Sequence, residues 1–131
     1  MATTAIAAEL LTVNVRSADL PDAGGGVGNG IVATTPSDGW VISAPENEVL
    51  GDRLVLRLTA NGTGDTFVLL AGDRYPAQRA DLGNLSIVLA ASDTRFISIE
   101  TSRFLQNDGT IHVTCTDAGS ALTALILPKA V

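Results

Sequence analysis

The only histidine, His112, sits in Thr110-Ile111-His112-Val113-Thr114, and the only cysteine, Cys115, follows three residues later. If this run is a strand, period two puts His112 on the face opposite Ile111, Val113 and Cys115. A catalytic histidine needs a nucleophile and an orienting carboxylate converging on it. No nucleophile-elbow pattern occurs here. The expectation for His112 is a surface or interface residue held by a hydrogen bond. Zinc needs three or four clustered His, Cys or carboxylate ligands, and one histidine and one cysteine on opposite faces do not supply them. A lone cysteine in an apolar strand acts as a small buried hydrophobe. It permits no disulfide within the chain.

The carboxylates are mostly loop residues. Asp38, Asp65, Asp73, Asp81, Asp93, Asp108 and Asp117 all fall near turn signals. The EF-hand spacing of oxygen ligands is absent, so these aspartates are expected to cap their own backbone. Of the four glutamates, Glu46 and Glu48 share one loop, a poor arrangement for the paired acids of glycoside hydrolysis. Gly24 to Gly30 is glycine-rich, but it is neither G-x-G-x-x-G nor a Walker loop, and no lysine follows. Flexibility is its expected use. The aromatics are Trp40, Phe67, Tyr75, Phe96 and Phe104, three of them expected inside. Trp40 and Tyr75 would make a sugar platform if the loops brought them together. That is the basis of an alternative reading, a carbohydrate- or receptor-binding β-module. No cofactor and no metal are expected, and no enzymatic activity.

The formal net charge is −6, carried against seven arginines and one lysine, Lys129. Without a basic cluster, direct nucleic-acid binding and anionic membranes are disfavoured. The start, MATTAIAAELLTV, lacks a basic leader and is broken by Glu9, so it does not read as a signal peptide. No apolar run reaches the length of a membrane span. With 46% hydrophobic residues, apolar surface kept for a partner is expected.

The elements that must carry these residues are short strands. From Asp52 onward, apolar segments alternate with turn signals: DRLVLRLTA, NGTGD, TFVLLA, GDRYPAQ, NLSIVLA, ASD, TRFISIE, QNDG, TIHVTCT, DAGS, ALTALILP. Such spacing reads as all-β. Leu54, Leu56 and Leu58 share a face with Arg57 on the other. Asn61-Gly62 and Gly64-Asp65 read as a hairpin turn. Phe67 to Leu70 and Leu85 to Leu89 are apolar on both faces, as in a central strand or one covered by a partner. Thr101 to Leu105 reads as a helical turn. Earlier strands are expected at Leu10–Val15, Ile31–Thr35 and Trp40–Ser43. The expected fold is a single-domain β-sandwich of jelly-roll type with about eight strands. Residues 1–30 would be an extended N-terminal arm and Gly-rich linker, and 31–131 the sandwich.

Asp52 to Pro128 also carries motifs with a likeness elsewhere. Arg79-Ala80-Asp81-Leu82-Gly83 precedes an apolar strand, an aromatic-containing strand follows, and then comes Arg103-Phe104-Leu105-Gln106-Asn107-Asp108-Gly109. In this order the chain resembles a group of small tailed-bacteriophage proteins often encoded beside the major capsid protein, the head decoration or cement proteins. The resemblance implies a non-enzymatic homotrimer that binds the major capsid protein on the outside of the mature capsid. Its location would be the virion's outer surface after synthesis in the host cytoplasm. The motif residues Arg79, Leu82, Arg103 and Phe104 become interface candidates. Leu10, Leu11, Val13 and Val15 join them, because an arm with one good strand can pair with a neighbour's sheet edge.

Overall fold

A computed structural model describes residues 4–10, 31–33, 35–44, 51, 53–73, 83–99 and 101–127. The strands are β1 (Thr4–Ala7), β2 (Glu9–Leu10), β3 (Ile31–Val32), β4 (Trp40–Ser43), β5 (Leu54–Thr59), β6 (Asp65–Leu69), β7 (Leu85–Leu89), β8 (Thr94–Ser98), β9 (Ile111–Cys115) and β10 (Ala121–Ile126). One helical turn, α1 (Thr101–Phe104), lies between β8 and β9, where the sequence placed it.

The chain is all-β, in two sheets. The first runs β1-β4-β9-β6-β7. The second runs β2-β10-β5-β8, with β3 also on β10. From β4 on, every ladder is antiparallel; β1 joins β4 and β2 joins β10 in parallel. Alternation decides which side chains meet. Trp40, Ile42, Phe67, Leu69, Ile111 and Val113 of the first sheet are fully buried, as are Leu54, Leu56, Leu58 and Leu122 of the second. Together they form one core. At its centre Trp40 stacks on Phe67, ring centroids 5.8 Å apart and planes 16° from parallel. At roughly 1.5–3 kcal/mol per fully buried large side chain, this cluster is the main cohesive force between the sheets.

Several sequence expectations shift. The expected boundary at residue 30 does not separate an arm from the body at the start of the chain. β1 and β2 belong to the two sheets, and Ile6 and Ala8 are each 3% exposed within the core. Ile6 lies beside Ile42 on the inward face, so alternation in TAIA is satisfied by burial. The strand expected over Leu10–Val15 begins earlier; Leu11, Val13 and Val15 lie outside the described residues. The segment Asn61 to Gly64 is not a hairpin turn. It carries the chain from β5 in the second sheet to β6 in the first, so that Leu58 and Phe67 can both point inward. The positive φ there belongs to Gly64, at 92°. β7 is not central: it forms the edge of the first sheet, and Val88 is 77% exposed. The strand buried on both faces is β10.

Gly39, just before β4, has φ 63°. A Cβ there would lie 1.9 Å from the Val113 carbonyl oxygen, so only glycine permits this approach of β4 to β9.

Candidate functional site

His112 lies where alternation placed it, on the outer face of β9, half-buried, opposite Val41 of β4. Beside it is an open groove of about 370 Å³ lined by Asp73, Gln106, Asn107, Asp108 and His112. Two chain segments build its walls, the strand exit at 70–73 and the turn from α1 into β9. They are stitched together tightly. Leu70 N–H donates to the His112 carbonyl at 3.0 Å and Gly72 N–H to the Arg103 carbonyl at 2.9 Å. The Gln106 amide donates to the Ala71 carbonyl at 3.1 Å. Gly72 is required by this contact, since a Cβ would sit 2.2 Å from the Leu105 carbonyl oxygen.

The groove's carboxylates are occupied in holding that turn. Asp73 Oδ1 accepts the Asn107 N–H at 2.6 Å. Asp108 Oδ1 accepts the Thr110 hydroxyl at 2.6 Å and the Thr110 N–H at 3.1 Å. Those two bonds to Thr110, the hydroxyl foremost, hold the Asp108 carboxyl below its ordinary pKa. This is the self-capping expected of turn aspartates, with Gly109 closing the turn at φ 83°. Among the described residues, no hydrogen bond joins the His112 ring to a hydroxyl or carboxylate, and no three metal-ligating side chains cluster. The groove can accept and donate hydrogen bonds to a polar ligand, but it does not assemble a nucleophile with a base.

A second polar centre was not apparent from sequence. Asp65, 5% exposed, receives four hydrogen bonds. Its Oδ1 accepts from the N–H groups of Thr66 (2.7 Å), Thr116 (2.9 Å) and Asp117 (3.1 Å), and its Oδ2 from the Ser120 hydroxyl at 2.6 Å. Asn61 extends the network, donating to the Ala118 carbonyl and accepting from Thr63. Cys115 lies against it, 7% exposed, with its thiol donating to the Asp117 carbonyl at 3.4 Å. Burial first, then the neighbouring Asp65 carboxylate, push the thiol up to about 12. It is the buried hydrophobe expected, and neutral at any ordinary pH. Asp65 looked like a turn residue because three of its four partners lie more than fifty positions away.

The expected interface residues divide. Arg79 and Leu82, like Leu11, Val13 and Val15, lie outside the described residues. Leu10 pairs with Ile126 in β2. Arg103 faces inward to its own fold: it donates to the Gly83 carbonyl at 3.2 Å and lies over the Phe104 ring, 5.0 Å from its centroid. Phe104 is 2% exposed in the core, because α1 turns that ring under the sheets. It has no surface to offer. Trp40 is fully buried, so it contributes nothing to a sugar platform; Tyr75 lies outside the described residues. The exposed large apolar side chains among the described residues are Val88 (77%), Phe96 (63%) and Leu127 (44%). Val88 and Phe96 stand on the edge strands of the two sheets, β7 and β8, which are consecutive in the chain.

The fold and these surfaces define an all-β, two-sheet protein with a polar groove and apolar edge strands. No protein-family model, curated protein or solved structure matches the chain.

Proposed function

We propose that this protein is a non-enzymatic capsid decoration protein that binds the outer surface of a tailed-phage head as a homotrimer. The observation that carries the reading is the pair of edge strands β7 and β8, each presenting a large apolar side chain to solvent, Val88 and Phe96. Sheet edges with exposed apolar residues invite pairing unless a partner covers them. The resemblance of Arg79 to Gly83 and Arg103 to Gly109 to phage cement proteins supplies the class of partner, the major capsid protein. The self-capped aspartates of the groove and the neutral thiol of Cys115 fit an adhesive role better than a reactive one.

The jelly-roll reading belongs here too. It is supported by the strand orders β3-β10-β5-β8 and β4-β9-β6-β7, the interleaving of two Greek keys. β1 and β2 then add to this body from the start of the chain, and Leu11, Val13 and Val15 beyond them are the proposed clasp. A trimer touching several capsid subunits would gain affinity through effective concentration even if each contact were weak.

Light scattering of the purified protein and co-sedimentation with mature phage heads lacking it test the reading together. A trimer that pellets with the heads is expected. A monomer that stays in the supernatant overturns it.

A further inference from the structure

The two open edges differ from their sheets in which backbone groups they leave over. The Leu70 N–H donates to the His112 carbonyl, and Val68 faces Thr114. Bonding alternates along an antiparallel ladder, so Val68 bonds β9, while Asp65, Phe67 and Leu69 bond β7. Their partners there are Leu89, Ile87 and Leu85. The N–H and C=O groups of Ser86 and Val88 therefore point off the free edge of the first sheet, where they meet no partner among the described residues. β8 repeats this on the second sheet. The Ala60 N–H donates to the Asp93 carbonyl, which gives Arg95 and Ile97 the bonds to β5 and directs those of Thr94, Phe96 and Ser98 off the edge. Sheet edges are ordinarily blunted by charge or proline. β7 has neither, and β8 has only Arg95.

We propose that the β7 edge of one copy pairs antiparallel with the β8 edge of a second copy of this chain. Val88 stands opposite Phe96, Ile87 opposite Ile97, Ser86 opposite Ser98 and Leu85 opposite Ile99. In this register every free backbone group of the β7 edge is met: Val88 exchanges N–H and C=O bonds with Phe96, and Ser86 with Ser98. Like meets like on both faces. Outside, a β-branched side chain lies against an aromatic one, a favourable cross-strand pair, and Val88 (77% exposed) and Phe96 (63%) cover each other. Inside, Leu85, Ile87 and Ile97 already pack on the rim of the core, and Ile99 lies within it, so the apolar layer of one copy continues into the next. Neither strand carries a carboxylate in a chain of net charge −6, so two copies meet where their repulsion is weakest. β7 paired with itself would set Ser86 against Val88 and leave Phe96 bare. Contact between two different edges is head-to-tail and closes into a ring. That the ring holds three copies rests on the decoration reading; the seam itself does not.

The test uses proline and cysteine in the full chain. Val88→Pro and Phe96→Pro each remove an N–H that the single copy points at solvent, a place where an edge strand accepts proline. Light scattering is expected to give a trimer for the parent and a monomer for each proline variant, with cooperative thermal unfolding retained. Folded proline variants that stay trimeric overturn the seam and leave the trimer standing; a monomeric parent overturns both. Cross-linking reads the register without relying on proline. In a Cys115→Ala background, Val88→Cys with Phe96→Cys in one chain should give covalent trimers on a non-reducing gel after mild oxidation, because paired residues in such a ladder lie about 5.5 Å apart at Cα, within disulfide reach. Each single cysteine variant should run as a monomer. A double variant that is not cross-linked overturns the register, and covalent dimers from Val88→Cys alone show β7 pairing with itself and overturn the proposal. The expected proline and cross-linking results from a protein that does not pellet with mature heads uphold the seam and remove the decoration role alone.

Discussion

Asp65 and Asp93 show how differently one residue type behaves in two settings. Asp93 meets Arg95 at 3.5 Å with both side chains largely in solvent, 37% and 62% exposed. Such a surface pair contributes little. Asp65 is buried and ties the start of β6 to the turn between β9 and β10 through the N–H groups of Thr116 and Asp117 and the Ser120 hydroxyl. Removing it would leave the buried Ser120 hydroxyl without its acceptor and cut three further bonds at a half-buried site. Asp65→Ala is therefore expected to lower stability by about 3 kcal/mol or more, and Asp93→Asn by less than about 0.5 kcal/mol, both read from urea midpoints. Cys115 gives a pH signature at the same place. Burial pushes its folded pKa up to about 12 from the ordinary 9.0. The stabilisation is therefore whole below pH 9 and is lost as pH climbs toward 12, because only the unfolded chain ionises in that window. A Cys115→Ala protein should show a flatter fall in urea midpoint between pH 9 and 11 than the parent. A native thiol that reacts with a disulfide reagent at pH 8 as fast as in denaturant would contradict its burial.

At the level of elements, β1 and β2 are the informative case. TTAIAAELL carries both helical and extended signals, and its small residues settle neither. Pairing decides it. Thr4 N–H reaches the Gly39 carbonyl at 2.9 Å and Ala8 N–H the Ser43 carbonyl at 2.8 Å, so the segment extends along β4 before crossing to β10. Deleting residues 1–10 is accordingly expected to destabilise the whole domain, by about 2 kcal/mol or more from Ile6 alone. Thermal unfolding followed by Trp40 emission measures this. A truncated protein with an unchanged midpoint would make these strands dispensable. The strands Trp40–Ser43, Leu54–Thr59 and Leu85–Leu89 were legible because their alternation or apolar runs are strong and turn residues bound them. That β7 lies at an edge was not, since an apolar run reads the same whether its neighbour is a strand, a partner or solvent.

For the whole molecule, the open side formed by β7 and β8 is where association should be felt. Val88→Ser with Phe96→Ser is expected to leave the urea midpoint within about 0.5 kcal/mol, as exposed positions do, while shifting light scattering from the proposed trimer to monomer. A double variant that remains trimeric would move the proposed contact elsewhere. The sequence by itself determined the class of fold, the inward face of most strands, the harmless burial of Cys115 and the outward position of His112. Each follows from period-two alternation and local turn chemistry, which act over a few residues. Only the tertiary structure decided that residues 4–10 join both sheets and that Asn61 to Gly64 bridges the two sheets. It alone buried Trp40 and set Asp65 at the centre of a polar network. Those outcomes depend on which strands pair across dozens of intervening residues, and pairing is selected by the packing of a shared core, a quantity no short window of sequence contains.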